Sequence, residues 1–79
     1  MDPIKLEHPI TSDGRSITEI GMRRPKVADV LAARKNKADE AESETALIAN
    51  LAGLPPSAIL DLDLADYKKL QERLAGFFG

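Results

Sequence analysis

An Asp-Gly pair at positions 13 and 14 stands between two stretches of alternating apolar and polar residues, a combination that strongly favours a β-hairpin. Upstream, Ile4, Leu6, His8 and Ile10 share one side of an extended segment and Lys5, Glu7 and Pro9 the other, with Pro9 favouring an edge position. Downstream, residues 15–22 return as the second strand, and Gly14 supplies the positive φ that such a turn requires. A two-residue Asp13-Gly14 loop would set Ser12 against Arg15 and Leu6 against Gly21. A three-residue Ser12-Asp13-Gly14 loop sets Leu6 against Ile20 and Ile4 against Met22, gathers one apolar face, and is the expected register. It leaves Ile17 on the opposite face beside polar neighbours, to be covered by a partner or explained by a bulge. A lone hairpin is marginal in water, so this ribbon needs helices beneath it.

The helices follow from spacing. In IGMRRPKVADVL, Pro25 suits the first turn of a helix, and Val27, Val30 and Leu31 then line one side. This helix is expected over about 25–34, ending at a polar break, RKNK at 34–37, whose cations suit a helix C-terminus. Asp39 and Glu42 have capping-box spacing for a second helix over about 39–52, with Leu47, Ile48 and Leu51 as its buried stripe and Gly53 as its stop. LPPSAI at 54–59 is a proline corner with room for one helical turn. Asp63 then caps a last helix over about 63–76, whose stripe is Leu64, Tyr67, Leu70, Gln71, Leu74 and Phe78. Gly76 loosens its end and leaves Phe77, Phe78 and Gly79 as an apolar tail. The expected fold class is α+β: an N-terminal hairpin over about 4–22 followed by three helices packed against it, one small domain over residues 1–79.

Size limits how well such a chain holds itself together. With 79 residues, and only Tyr67, Phe77 and Phe78 as aromatics, large rigid core anchors are scarce. A core of this size supplies about 3 to 5 kcal/mol of net stability, so a partner or self-association is expected. There is no cysteine, which excludes disulfides, thiolate metal sites and a cysteine nucleophile together. MDPIKLEHPI has neither a cationic start nor an unbroken apolar stretch, so no signal peptide is expected, and no run is long enough to cross a membrane. Net charge is −2, divided unevenly: residues 1–35 carry seven Lys/Arg against five Asp/Glu, and residues 36–79 carry four against eight. That asymmetry can orient a complex or favour head-to-tail association, but it is too small to predict nucleic-acid binding.

The chemistry-bearing residues are few. His8 is the only histidine, and a general base needs an orienting partner that the sequence does not identify. Neither a nucleophile nor a phosphate-binding glycine loop accompanies it, so no catalytic residue and no enzyme activity are expected. Asp61, Asp63, Asp66 and Glu72 have the span of a calcium loop, but Asp66 occupies the position where glycine is required, so neither a metal nor a cofactor is expected. Arg23, Arg24 and Lys26 lie near a helix N-terminus where phosphates bind, yet three cations do not make the broad basic face of a nucleic-acid domain. They read first as a strand-to-helix joint, with Asp29 available to pair with a nearby Arg, and second as contacts for an acidic partner. Tyr67 begins a stripe that is core over its first part, whereas Phe77 and Phe78 either pack on the hairpin or dock onto another chain.

The ordered set of HPI at 8–10, DGR at 13–15, ITEI at 17–20, MRRPKVAD at 22–29, LAGLPPSAI at 51–59 and LDLADYKKL at 62–70 resembles the small tail assembly chaperones of long, contractile-tailed phages and prophages. The likeness spans nearly the whole chain, and the Arg-Pro-x-x-x-Asp stretch and the Asp66-Tyr67 pair carry most of it. It implies a protein that binds the tape measure protein in the host bacterial cytoplasm, keeps it soluble, assists tail-tube assembly, and is absent from the mature virion. The tail-tube protein, a longer form made by ribosomal frameshifting near Phe77-Phe78, and further copies of the chain are the other partners it suggests; nucleic acid and membrane are not. Ile17, Arg23, Arg24, Lys26, Tyr67, Phe77 and Phe78 are the partner-binding candidates. Two other readings compete: a small nucleic-acid-binding or regulatory protein using Arg23, Arg24 and Lys26, and a structural tail component.

Overall fold

The turn that opens the fold has positive φ at both central residues, 52° at Asp13 and 76° at Gly14. This is the two-residue loop whose twist suits a hairpin. The structure, a computed structural model, describes residues 2–35 and 39–78. Strand β1 (Ile4–Ser12) pairs antiparallel with β2 (Arg15–Ile20), and helices α1 (Val27–Arg34), α2 (Glu40–Ala52), α3 (Pro56–Leu60) and α4 (Leu64–Phe78) follow. The architecture is therefore α+β, a hairpin followed by helices. The proline corner forms a helix of its own, α3, with proline at its start.

The register differs from the expected one. Ser12 faces Arg15 and Ile10 faces Ile17, as the two-residue loop dictates, but further along Lys5 faces Glu19 and Ile4 faces Ile20. Between these two sets β1 carries a bulge spanning Leu6 to Pro9. The three-residue loop is thus wrong, and so are the pairs expected from it: the bulge inside β1 sets Ile4, rather than Leu6, against Ile20. The two-residue loop also accounts for Ile17, which stands opposite buried Ile10 and packs half-buried against the core.

The bulge frees two backbone N–H groups, and one side chain takes both. Glu7 N–H donates to Asp66 Oδ1 and His8 N–H to Asp66 Oδ2, each at 2.9 Å. Asp66 has no exposed surface, and Lys69 Nζ lies 3.5 Å from its carboxylate. Further along the same helix, Lys69 Nζ donates to the Lys5 carbonyl at 3.4 Å and Arg73 to the Asp2 carbonyl at 2.9 Å. A line of α4 side chains therefore holds β1 by its backbone.

Asp66 also sets the rotation of α4. Leu70, Leu74 and Phe77 follow it within about 80° on a wheel of about 100° per residue, and they face the core with it. Leu64 and Phe78 lie about 160° and 120° from it. They are correspondingly exposed, at 71% and 62%: Leu64 departs from the core-facing part of the stripe, and Phe78 does not pack on the hairpin. The helix runs unbroken through Gly76 to Phe78, so the expected loose tail is helical over Phe77 and Phe78; Gly79 lies outside the described residues.

A second aspartate does the same for α1. This helix starts at Val27 rather than Pro25, which sits in the extended joint before it. Asp29, in its first turn, accepts from the Lys26 N–H at 2.8 Å and from Asn50 Nδ2 of α2 at 3.1 Å. The Arg23 N–H donates to the Leu51 carbonyl at 3.1 Å, tying the joint to the end of α2. With Asp29 turned toward α2, Ala33 and Val30 face inward, while Val27 and Leu31 are carried to the far side and stand 77% and 64% exposed. The expected Val27, Val30, Leu31 face is therefore out of phase. Helix α2 behaves as its sequence requires: Asp39 Oδ1 accepts the Glu42 N–H at 2.8 Å, Leu47, Ile48 and Leu51 are buried, and Gly53 (φ 69°) terminates it. The RKNK break falls partly outside the described residues.

The Asp66 carboxyl is held below its ordinary value, first by the Glu7 N–H and then by the His8 N–H and Lys69, against the opposing effect of burial. A depressed folded-state value means that the stability it confers is complete above the unfolded value of about 4 and is lost as pH falls through the folded value. Thermal unfolding followed by circular dichroism is expected to give a Tm that drops steeply below about pH 4. Asp66→Asn, which offers one acceptor to two N–H groups, is expected to lower Tm by about 10 °C at neutral pH and to flatten that acid limb. A residual slope remains from Asp29, whose carboxyl Arg23 also holds well below the usual range. An unchanged Tm and acid limb in Asp66→Asn would count against this role.

Candidate functional site

Three chain segments converge: α1, the start of α2 and the end of α4. Between them lies an open groove of about 550 Å³. Leu47 and Leu74 lie at its buried side with Val30 and Ala33, and Phe78 stands exposed along it. The rest of the lining is polar: Ser43 with Asp39, Glu40 and Glu44 from the cap and first turns of α2, against Arg34 from α1, so among the described residues the groove is apolar within and acidic in balance. Val27 and Leu31 add an exposed apolar strip on α1, the helix that forms one wall.

A second, shallower depression of about 210 Å³ lies where α3 meets the start of α4. Tyr67, Ile59 and Leu62 line it together with Leu60 and Leu64, which are largely exposed. Tyr67 is fixed there by hydrogen bonds. Its hydroxyl donates to Glu44 Oε1 at 2.7 Å and lies 3.4 Å from Thr45 Oγ1, while Gln71 Nε2 donates to the same Glu44 oxygen at 2.8 Å. Tyr67 and Phe78 are eleven positions apart on one helix, about 16 Å along its axis, so α4 connects the two apolar surfaces.

The residues singled out from sequence separate into fasteners and surface. Arg23 forms a two-pronged pair with Asp29, at 2.7 and 2.8 Å, and its guanidinium is held more firmly protonated by that carboxylate. The pairing of Asp29 with a nearby Arg is as expected. Arg24 lies over the Phe77 ring, 5.7 Å from its centre, and Phe77 packs half-buried against the core. Lys26 is exposed at the start of α1, and Ile17 lies on the hairpin. The structure thus brings Arg24 to Phe77 and Arg23 to Lys26 through Asp29, and it places Phe78 at the groove and Tyr67 at the depression. His8 is exposed and contributes its backbone N–H to the Asp66 pair.

Sequence reasoning missed Glu44, Asn50 and Asp66. Asp66 carried a usable signal, since it precedes Leu70 and Leu74 at four-residue steps and so shares their face. Glu44 and Asn50 carried none, because their partners come from elements far along the chain.

Residues 3–79 match the family model described as phage tail assembly chaperone proteins, E, or 41 or 14. The chain belongs to the phage tail assembly chaperone family. No curated protein and no solved structure matches it. Membership gives this chaperone a role in tail assembly, with tail proteins as what it binds. The groove and the α3–α4 depression are the surfaces on which such binding is to be sought.

Tyr67 is the only tyrosine, so its ionisation can be followed by ultraviolet absorbance. Burial, opposed by Thr45 and aided by the neighbouring Glu44 carboxylate, pushes the phenol above its ordinary value. The absorbance midpoint is expected above pH 10, with Glu44→Gln bringing it down. A midpoint at the ordinary value in the native protein would remove the Glu44 fastening.

Proposed function

We propose that this chaperone binds the tape measure protein in the host bacterial cytoplasm, keeps it soluble while tail-tube subunits gather around it, and departs before the virion is complete. The observation that carries the reading is an open groove lined by exposed Phe78, one wall of which is α1, the helix that carries exposed Val27 and Leu31 on its outer side. Exposed side chains of this size in a small domain with few large core residues are more useful to a partner than to the fold. An amphipathic client helix lays its apolar face into a groove of this kind, through anchors spaced three or four residues apart. The acidic balance of Asp39, Glu40 and Glu44 against Arg34 suits client segments whose apolar stripe is flanked by Lys or Arg. The cation cluster counts against nucleic acid as the ligand, because Arg23 is paired with Asp29 and Arg24 lies on Phe77.

Coexpression tests this directly. The tape measure protein is expected to remain in the soluble fraction with the native chain and to be lost to aggregates with Phe78→Asp or Leu31→Lys. For purified fragments of the tape measure protein, Phe78→Asp is expected to weaken binding about thirtyfold, the cost of removing a central aromatic anchor. Both side chains are exposed, so Tm is expected to stay unchanged within about 2 °C. Undiminished client solubility with both variants would overturn the proposal.

A further inference from the structure

The two edges of the hairpin are not equivalent. Along β1 the backbone is engaged by α4: the Glu7 and His8 N–H groups by Asp66 and the Lys5 carbonyl by Lys69, with the Asp2 carbonyl just before the strand held by Arg73. Among the described residues strand β2 pairs with β1 alone, and Arg15, Ser16, Thr18 and Glu19 are exposed along it. An open strand edge is a template for another strand, and natural chains ordinarily blunt it with proline, inward charges or a covering element. Here β2 reads Arg-Ser-Ile-Thr-Glu-Ile, with neither proline nor bulge within it.

We propose that β2 pairs antiparallel with β2 of a second copy of this chain, about a two-fold axis at Ile17, to make a four-stranded sheet. Backbone geometry selects the registers that are possible. Ser12 and Arg15 close the two-residue turn and so exchange both of their hydrogen bonds; by alternation Ser16 and Thr18 turn theirs to the open edge. A two-fold axis through a residue pairs outward groups with outward groups, whereas an axis between residues does not. Centred on Ile17, the pairing sets Ser16 against Thr18 of the second copy as the hydrogen-bonded pair.

Side chains then choose among these registers. With the axis at Ile17, each Arg15 faces Glu19 of the other copy, two opposite-charge pairs flanking an Ile17–Ile17 contact on the same face. Moving the axis to Thr18 sets Ile17 against Glu19, and moving it to Ser16 sets Ile17 against Arg15. Only the Ile17 axis satisfies both charges and covers the isoleucine that the fold leaves half-buried. The edge is six residues long, well short of the roughly 1,200 Å² of a stable complex, so the dimer is a weak one. This proposal is independent of the groove and of the client.

Sedimentation velocity between about 10 μM and about 500 μM reads the association, and amide hydrogen exchange reads its place. The native chain is expected to move from monomer toward dimer across that range, with slower exchange at Ser16 and Thr18 as concentration rises. Arg15→Glu and Glu19→Arg each create two like-charge pairs per dimer and are expected to weaken association at least about tenfold. The double variant R15E/E19R restores both pairs and is expected to regain native association within about twofold. Thr18→Pro removes an outward N–H and is expected to be monomeric, with its fold checked by circular dichroism. The proposal is overturned by a native chain that stays monomeric throughout. Single charge variants that associate normally would overturn it too, as would a double variant that fails to recover, since the charge exchange does not depend on how the proline variant folds.

Discussion

The structure depends on one buried carboxylate. Strand β1 is longer than the pairing β2 can offer it, and the surplus between Leu6 and Pro9 leaves backbone N–H groups with no strand opposite. Such groups cannot be buried unpaired without a penalty comparable to a lost hydrogen bond. Asp66 meets two of them with its two oxygens, and Lys69 stands beside the charge that would otherwise be isolated. An apolar residue at position 66 would fill the space and leave both N–H groups unsatisfied. The bulge and the carboxylate therefore require each other, across 58 and 59 positions of sequence.

The same logic explains why helix existence was legible in the sequence and helix rotation was not. Capping residues, glycine stops and apolar spacing located α2 and α4 and the hairpin turn, because those signals act within a few residues. Rotation of α1 and α4 is set instead by Asp29 and Asp66, whose partners are the joint and α2 in one case and the β1 bulge in the other. A reading that assigns apolar residues inward and acids outward places Val27, Leu31 and Leu64 on the buried side. All three are exposed. The hairpin register failed for a related reason: apolar matching across the strands assumes an unbroken ladder, and the break in this one is stabilised from outside the hairpin.

The stretches that carry the family likeness are largely these fasteners. Asp29 in the Arg-Pro-x-x-x-Asp stretch binds Arg23, the Lys26 N–H and Asn50, and the Asp66-Tyr67 pair binds β1 through one residue and α2 through the other. Their chemistry is that of holding helices to a hairpin. The surface on which the proposed client binding rests consists of residues that these fasteners rotate outward, so Val27 and Leu31 could not be read from the sequence as part of it. Of the sequence candidates, Phe78 is the one that reaches the groove itself.

The two C-terminal phenylalanines show how a small fold keeps such a surface while remaining ordered. Because α4 continues through Gly76, Phe77 and Phe78 lie about 100° apart on a helix whose rotation is already determined by Asp66. Phe77 falls near the buried face and is closed over by Arg24, which ties the end of α4 to the joint before α1. Both of these helices border the groove, and Phe78 remains exposed on the last turn of α4. A rigid exposed aromatic loses little conformational freedom on binding, whereas the same residue on a loose tail would lose much of its gain to ordering. Anchoring one ring thus makes the other useful, which is a reason for an aromatic pair to sit on the last turn of a helix.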